Sequence, residues 1–254
     1  MSGELQKMIQ KLGLLNQSLE SSQTKAQTIL EEPTLEKEEL SEKVSSVPTE
    51  IREVKNEAGQ IIQRIPYKNG KINGTLEILE NGRISQSLSY HEGLLEGPLI
   101  GYNAEGQMTH FLTYKAGQLS GLCEIYSNGS LLNQSMYVNN LKEGSEKTFR
   151  PTGGLLSERI FSEGKLNGIS QFFGENDRLI RKAVYQDNLL WGDVETYYPS
   201  GQLLEKASYV NNLLDGESIQ YYENGQILLK ARYQAGKLIG RAQHFNQKGK
   251  ELKN

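Results

Sequence analysis

The sequence is poor in the residues from which most chemical sites are built. Its 254 residues include one cysteine, Cys123, and three histidines, His91, His110 and His244. A single cysteine excludes an intramolecular disulfide and favours a reducing compartment. The histidines fall in different phases of the repeat that dominates the chain, and with one cysteine they make no metal-ligand spacing. The sequence therefore predicts no catalytic residue, no metal site and no cofactor.

Long hydrophobic runs and an excess of one charge are also lacking. No stretch approaches the roughly 18 apolar residues that cross a bilayer, and the N-terminus shows no signal-peptide pattern. The net charge is −3, and residues 60–254 carry 21 basic and 20 acidic side chains. This balance argues against nucleic-acid binding and disfavours strong attraction to anionic lipid. A cytoplasmic location is predicted, and export of a bacterial effector stays open as an alternative.

What the chain does contain is a repeat of 23–24 residues, marked by an aromatic anchor and a glycine seven residues later. The anchors, near which the predicted repeats begin, are Tyr67, Tyr90, Tyr114, Tyr137, Phe161, Tyr185, Tyr209 and Tyr233. The paired glycines are Gly74, Gly97, Gly121, Gly144, Gly168, Gly192, Gly216 and Gly240. A period of this length predicts a stack in which each unit packs on its neighbours.

Each unit has two turn signals. The first lies between an anchor and its paired glycine, and the second is an Asn-Gly or similar pair such as Asn224-Gly225. Asn-Gly between alternating apolar runs predicts a tight hairpin in which both central residues take a positive φ. Asp177 stands where the other units carry a glycine at the second turn. The segments between turns are long enough for strands of about six to eight residues.

Three columns of apolar side chains keep phase with these turns. Two residues after the second turn come Ile61, Ile84, Met108, Leu131, Leu155, Leu179, Leu203 and Ile227. Five residues after the paired glycines come Leu79, Tyr102, Tyr126, Phe149, Phe173, Tyr197, Tyr221 and Phe245. Five residues after the anchors come Ile72, Leu95, Leu119, Lys142, Leu166, Leu190, Leu214 and Leu238, in which Lys142 is the polar outlier. The columns predict cross-strand pairs between successive hairpins.

The first 50 residues differ in composition, since they are rich in Gln, Glu, Lys and Ser and contain no aromatic residue. A spacing of three and four residues places apolar side chains on one helical seam: Leu5, Met8, Leu12, Leu15 and Leu19. One interpretation is a short coiled coil that self-associates or grips a partner. The other is a marginal amphipathic helix, or a disordered segment that orders on contact.

The repeat resembles a known family. Its pattern is Tyr-x-x-Gly-x-Leu-x-Gly, with Tyr-Tyr-x-x-Gly-Gln-Leu/Ile-Leu between copies, and residues 197–204 and 221–228 carry it most clearly. It is similar to the variant MORN repeat, as in the bacterial YwqK-like group of antitoxin components, over about residues 54–254. The resemblance implies a chain of β-hairpins used for protein contacts. For eukaryotic relatives it also implies links to membrane lipid and to self-association.

The predicted fold class is therefore mainly β. Residues 53–254 are expected to form an elongated single-layer antiparallel β-meander of about eight hairpin repeats. Residues 1–52 are expected to form an α-helical, partly disordered segment before it.

The predicted function is that of a non-enzymatic scaffold that binds a protein partner, as an antitoxin-like component that sequesters it. A membrane-lipid module and a bacterial effector are the alternatives. Trp191 is a candidate contact residue because the other units carry mostly polar residues at its position, although its ring can equally lie on its own sheet. Arg178, Arg181 and Lys182 are candidates to contact an acidic partner, and the competing interpretation is an ordinary solvated face.

Overall fold

The computed structural model describes residues 49–252, which form one antiparallel sheet of 19 strands. Within this range the remaining regular element is a 3-10 turn at Glu175–Asp177, and no helix is long and apolar enough to span a membrane. The strands are β1 (Glu50–Lys55), β2 (Ile61–Lys68), β3 (Lys71–Ile72), β4 (Gly74–Glu80), β5 (Arg83–His91), β6 (Leu94–Tyr102), β7 (Met108–Lys115), β8 (Gln118–Ser127), β9 (Ser130–Val138), β10 (Leu141–Phe149), β11 (Leu155–Ser162), β12 (Lys165–Phe173), β13 (Leu179–Gln186), β14 (Leu189–Tyr197), β15 (Leu203–Val210), β16 (Leu213–Tyr221), β17 (Ile227–Gln234), β18 (Lys237–Phe245) and β19 (Glu251–Leu252).

The strands follow one another as a meander. β1 pairs with β2, β2 pairs with both β3 and β4, and from β4 onward each strand pairs with the next along the chain. All of these pairs are antiparallel, as short connections require.

The first turn of each unit is a tight two-residue hairpin. In the second unit, Tyr90 lies opposite Leu95 and His91 lies opposite Leu94, so Glu92 and Gly93 alone form the turn. Both take positive φ, 50° and 85°, which matches the right-handed twist of the flanking strands. The same two positions have positive φ in all eight units: Asn69-Gly70, Glu92-Gly93, Ala116-Gly117, Asn139-Asn140, Glu163-Gly164, Asp187-Asn188, Asn211-Asn212 and Ala235-Gly236.

The second turns are less uniform than predicted. Asn81-Gly82 and Asn128-Gly129 are two-residue turns with positive φ at both positions. At Asn224-Gly225 that prediction is wrong, because only the glycine takes a positive φ, 82°. The connection there is a wider loop, in which Tyr222 N donates to Gln226 O at 2.8 Å. The Asn224 side chain caps the loop by accepting a 3.0 Å hydrogen bond from Gln226 N.

Asp177, the departure from glycine, takes a φ of 54° and links two units. Its carboxylate accepts a 2.8 Å hydrogen bond from Leu155 N and a 2.9 Å bond from Arg150 Nη1, both in the preceding unit. The strained backbone of a non-glycine residue is therefore offset by two contacts that glycine could not make.

The anchor and its paired glycine repeat because the next anchor packs opposite the glycine. Tyr114 lies opposite Leu119 within its own hairpin and opposite Gly97 of the preceding unit. Gly97 has a φ of 102°, and a Cβ placed on it would lie 3.3 Å from Ser89 Cβ. Both the backbone conformation and the close approach of the preceding strand favour glycine at this position.

The predicted columns occur as cross-strand pairs. Each anchor lies opposite the residue five positions later, from Tyr67 and Ile72 to Tyr233 and Leu238. The aromatic column lies opposite the aliphatic column that follows the second turn, as in Tyr102 with Met108. Such pairs each contribute about 0.2–1 kcal/mol to sheet stability.

The fold class is wrong in its N-terminal part. Within residues 49–252 the structure is almost entirely β and contains no α-helix. Strand β1 already begins at Glu50, inside the segment predicted as helical, because Glu50 to Lys55 pair along β2. The predicted seam of Leu5, Met8, Leu12, Leu15 and Leu19 lies outside the described residues.

The core lies on one side of the sheet, called here the inner face. Its centre is a continuous cross-strand row, the inner ladder, in which each residue lies opposite the next and all but the half-buried Arg159 are buried. The inner ladder runs Leu76, Leu88, Leu99, Leu112, Cys123, Ser135, Glu146, Arg159, Ser170, Ala183, Val194, Ala207, Ser218, Ala231.

Candidate functional site

The opposite side of the sheet, the outer face, carries a second continuous row that is mostly charged or polar. Because successive residues on a strand point to opposite faces, the neighbours of the inner ladder define it. This outer ladder runs Glu53, Arg64, Glu77, Ser87, Ile100, Phe111, Glu124, Gln134, Lys147, Glu158, Gln171, Lys182, Glu195, Lys206, Ile219, Lys230, Gln243.

Beside the outer ladder, the central strands carry apolar side chains that face solvent. Leu122 lies opposite Met136, and Ile169 lies opposite Val184. Ile160 lies at the corresponding position along β11, opposite Ser145 of β10. These five apolar residues are called here the apolar strip. Met136 is 44% exposed and Ile169 is 45% exposed.

The apolar strip is confined to the centre of the stack. At the same height in earlier strands the cross-strand pairs are Thr75 with Ser89 and Pro98 with Thr113. In later strands they are Asp193 with Ser208 and Glu217 with Arg232. The solvent-facing apolar residues therefore do not follow from the repeat itself.

The residue types of the inner ladder change on β9 to β12, within the region that carries the apolar strip. It is leucine-rich up to Leu112, and it carries alanine or valine from Ala183 to Ala207. Between these segments it carries Ser135, Glu146, Arg159 and Ser170. On β9 and β12 the usual polarity of the two faces is thus inverted, with Ser135 and Ser170 buried and Met136 and Ile169 exposed, while β10 carries Ser145 on the outer face.

A buried charge cluster occupies this polar stretch. Lys142 Nζ and Arg159 Nη2 both donate to the Glu146 carboxylate, which is almost fully buried. The cations also contact the Phe161 ring, with Lys142 Nζ 5.0 Å from its centroid. Burial acts to raise the pKa of Glu146, but the hydrogen bond and charge of Lys142 and the charge of Arg159 outweigh it and hold that pKa below its usual range.

Sequence reasoning missed most of this cluster. Lys142 stood out in its column, but Glu146 and Arg159 were not singled out. The available signal was the repeat phase: Glu146 follows its paired glycine by two residues, where Leu76 and Leu99 stand in other units. Arg159 precedes its anchor by two residues, a position that is apolar in most of the other units.

The structure distributes the sequence-predicted contact residues over both faces. Lys182 belongs to the outer ladder, with its Nζ 4.0 Å from Glu195 Oε2, and Arg181, its neighbour on β13, points to the inner face. Trp191 is 43% exposed on β14, in the irregular stretch where β14 passes Val184 of the apolar strip.

Arg178 has a structural contact of its own. Its Nη1 donates a 2.7 Å hydrogen bond to Pro199 O in the next second-turn loop. Arg83, at the same phase of an earlier unit, donates a 2.8 Å bond to Ala104 O. The repetition identifies both arginines as links between successive loops.

His110 is another buried titratable group of the inner face. It is 6% exposed, its ring covers Gly101 on the neighbouring strand, and Thr109 Oγ1 lies 3.0 Å from its Nδ1. Nε2 is buried without a hydrogen-bond partner among the described residues. Burial lowers the pKa of His110 to about 4.

Gly101→Ala is expected to destabilise the protein by about 1–3 kcal/mol, the usual cost of overpacking. A Cβ at Gly101 would lie 2.0 Å from His110 Cε1, so the ring must move. Urea unfolding of Gly101→Ala, His110→Ala and the double variant checks this. The double variant should be more stable than the sum of the single effects implies, because it removes the clash; additive losses would contradict the packing described here.

Cys123 is packed in the inner ladder, and burial raises the pKa of its thiol to about 11. We expect it to resist alkylation by iodoacetamide at pH 8 in the native protein and to react on unfolding in urea. Mass spectrometry measures the modified fraction. Complete native-state labelling at the rate of a free thiol would contradict this placement.

In the described range, 49–252, no group of three or more His, Cys, Asp or Glu side chains is placed to hold a metal ion. The comparison with protein families gives two matches to the MORN repeat variant, at residues 192–211 and 214–235. They cover most of β14 with β15 and of β16 with β17. No curated protein matches the chain.

The family match confirms the resemblance to the variant MORN repeat within residues 192–235 and does not extend to the YwqK-like antitoxin group. Repeats of this kind suggest a binding or scaffold role. A β-meander built from them is a non-catalytic repeat fold, which is consistent with a protein that is not an enzyme.

Proposed function

We propose that this chain is a non-enzymatic scaffold whose outer face, over strands β8 to β14, docks a protein. The observation that carries the proposal is the inverted polarity of the central strands. Burying the charges of Lys142, Glu146 and Arg159 brings little net stability, while Met136 and Ile169 remain in water. Stability alone would favour the opposite arrangement, so we attribute the exposed side chains to a binding role.

The surroundings of the apolar strip resemble the organisation of a protein interface, in which an apolar centre is bordered by polar groups. The outer ladder supplies Lys147, Glu158 and Lys182 along one side. Trp191, at the β14 end, adds a large exposed ring of the type that often dominates binding energy. Lys182 and Trp191 thus keep the contact role predicted for them.

A separate proposal is that the chain sequesters a toxin protein. The similarity to the YwqK-like group supports this, together with the MORN-variant match at residues 192–235. Co-production of each neighbouring reading frame with this chain tests it. Growth arrest by a neighbour that this chain relieves supports the proposal, and the absence of any toxic neighbour contradicts it.

Self-association through Leu5, Met8, Leu12, Leu15 and Leu19 also remains a proposal. It concerns residues outside the described range. The experiments below use the full chain, so that this segment is present throughout.

The docking proposal is tested by affinity capture with tagged full-length chain as bait, followed by mass spectrometry. An untagged copy is co-produced, so that capture of the same chain is also recorded. Ile169→Arg places a charge in the apolar strip. Leu213→Arg is the matched control, since Leu213 is 50% exposed on β16, outside the strip.

A protein captured by the wild type and by Leu213→Arg, but lost with Ile169→Arg, is the expected result. If all three baits capture the same proteins in the same amounts, the outer face of the central strands is not the docking surface.

A further inference from the structure

The charges along the central outer ladder have a specific order. On the consecutive strands β10 to β14 the residues are Lys147, Glu158, Gln171, Lys182 and Glu195. Each is half-buried, so their polar ends reach solvent. The sequence of signs is positive, negative, neutral, positive, negative.

This order is self-complementary about Gln171. Reversing it places Lys147 against Glu195 and Glu158 against Lys182, so each charge meets its opposite. A two-fold axis parallel to β12, between two outer faces that oppose each other, produces this reversal. Such an isologous arrangement is the commonest way in which identical chains associate.

Three residues of the apolar strip obey the same rotation. An axis parallel to the strands keeps each residue at its position along the strand, so residues on strands equally far from β12 meet. Ile169 on β12 then lies against Ile169 of the second copy, and Ile160 lies against Val184 of the second copy. The other two strip residues, Met136 and Leu122, lie against polar residues of the second copy, so the apolar contact is confined to β11 to β13, where the charges also pair.

Moving the axis by one strand removes the complementarity. With the axis on β11, Glu158 would face Glu158 of the second copy. With the axis on β13, Lys182 would face Lys182. Like charges opposed in an interface cost several kcal/mol and exclude a register.

We propose that the protein docked on this face is a second copy of the chain, related by a two-fold axis along β12. The proposal rests on the function proposed above and names its partner. It assigns the apolar contact to Ile160, Ile169 and Val184, and the choice of partner and register to the outer ladder.

The ion pairs within one sheet do not oppose the association of two copies. Lys147 Nζ lies 3.8 Å from Glu158 Oε1, and Lys182 Nζ lies 4.0 Å from Glu195 Oε2. Pairs this long and this exposed contribute about 0–1 kcal/mol. The second copy can therefore add opposite charges without breaking a strong contact.

Sedimentation equilibrium of the purified full chain tests the proposal. We expect a monomer–dimer equilibrium for the wild type. Glu158→Lys should raise its dissociation constant at least about tenfold, which is about 1.4 kcal/mol, because it opposes two lysines at two symmetric positions. The charge swap Glu158→Lys with Lys182→Glu should return the constant to within about threefold of the wild type.

Glu77→Lys is the matched control. It removes the 3.0 Å pair with Arg64 on the early strands of the outer ladder and leaves the central outer ladder intact. Circular dichroism establishes that each variant is folded, and the swap keeps the test informative if Glu158→Lys alone is unstable.

A wild type that is monomeric at about 100 µM, or a dimer whose dissociation constant is the same in Glu158→Lys and the wild type, would overturn the proposal. A dimer that the swap fails to restore would also overturn it. A monomeric chain whose Ile169-dependent capture of a different protein persists would leave the docking surface in place and refute only the second copy.

Discussion

Replacing Glu146 by leucine is expected to lower the free energy of unfolding by about 3 kcal/mol. The change gives this unit the residue of Leu76 and Leu99, yet it leaves Lys142 and Arg159 without the carboxylate that both contact. Removing one partner of a buried ion pair usually costs about 3–5 kcal/mol. We expect the lower end of this range, because both cations retain some contact with solvent. Urea unfolding followed by circular dichroism measures the loss.

The other repeat units show which residues a control variant should carry. The triple variant Lys142→Leu, Glu146→Leu and Arg159→Ala carries the residues that other units use at these three positions. It should be within about 1 kcal/mol of the wild type or more stable, because a buried ion cluster brings little net stability over apolar packing. A single variant as stable as the wild type, or a triple variant as unstable as the single one, would contradict the described cluster.

Lowering the pH from 6.5 to about 4 is expected to destabilise the protein by roughly 3 kcal/mol through His110 alone. The pKa of His110 is about 4 in the folded chain, against 6.5 for an ordinary histidine. Between these values the unfolded chain binds the proton and the folded chain does not, so acid favours unfolding. The contribution of neutral His110 to the free energy of unfolding is fully present above pH 6.5.

Urea titrations at pH 7, 6, 5 and 4.5 check this dependence. His110→Leu should remove most of the slope between pH 6.5 and 4.5, while His91→Gln, a change at an exposed position, should leave it. Stability that stays constant over this range, or an unchanged slope in His110→Leu, would argue against a neutral buried imidazole. Below this window Glu146 adds a loss of the same sign, because its folded pKa is depressed.

The repeat period and the hairpin register could be read from particular residues. The turn between Tyr114 and Gly121 lies where the sequence predicts it, and it places Tyr114 opposite Leu119 because a hairpin with a two-residue turn allows one register. Turn conformation was less predictable. Asn224-Gly225 has the residues of a tight hairpin, yet it lies in a wider loop closed by Tyr222 and Gln226.

The site was largely hidden from sequence reasoning. Trp191 and Lys182 stood out as single residues. Recognising the apolar strip, however, requires knowing which face of the sheet each side chain occupies across six strands. The strand register determines these faces, since a shift of one residue would turn Ile169 inward and Ser170 outward. The cluster at Glu146 was also missed, because the contacts of Lys142 and Arg159 with its carboxylate depend on strand pairing that the sequence spacing alone does not show.

The claim that the outer face of the central strands is the contact surface is tested most directly by the oxidation of Met136. This methionine is 44% exposed in the isolated sheet, whereas Met108 is half-buried beside Tyr102. Hydrogen peroxide treatment with peptide mass spectrometry follows both residues in the dilute chain and in the assembled or partner-bound chain. We predict fast oxidation of Met136 in the dilute chain and at least about threefold protection on assembly, with Met108 unchanged. Equal rates for Met136 in the two states would contradict the account.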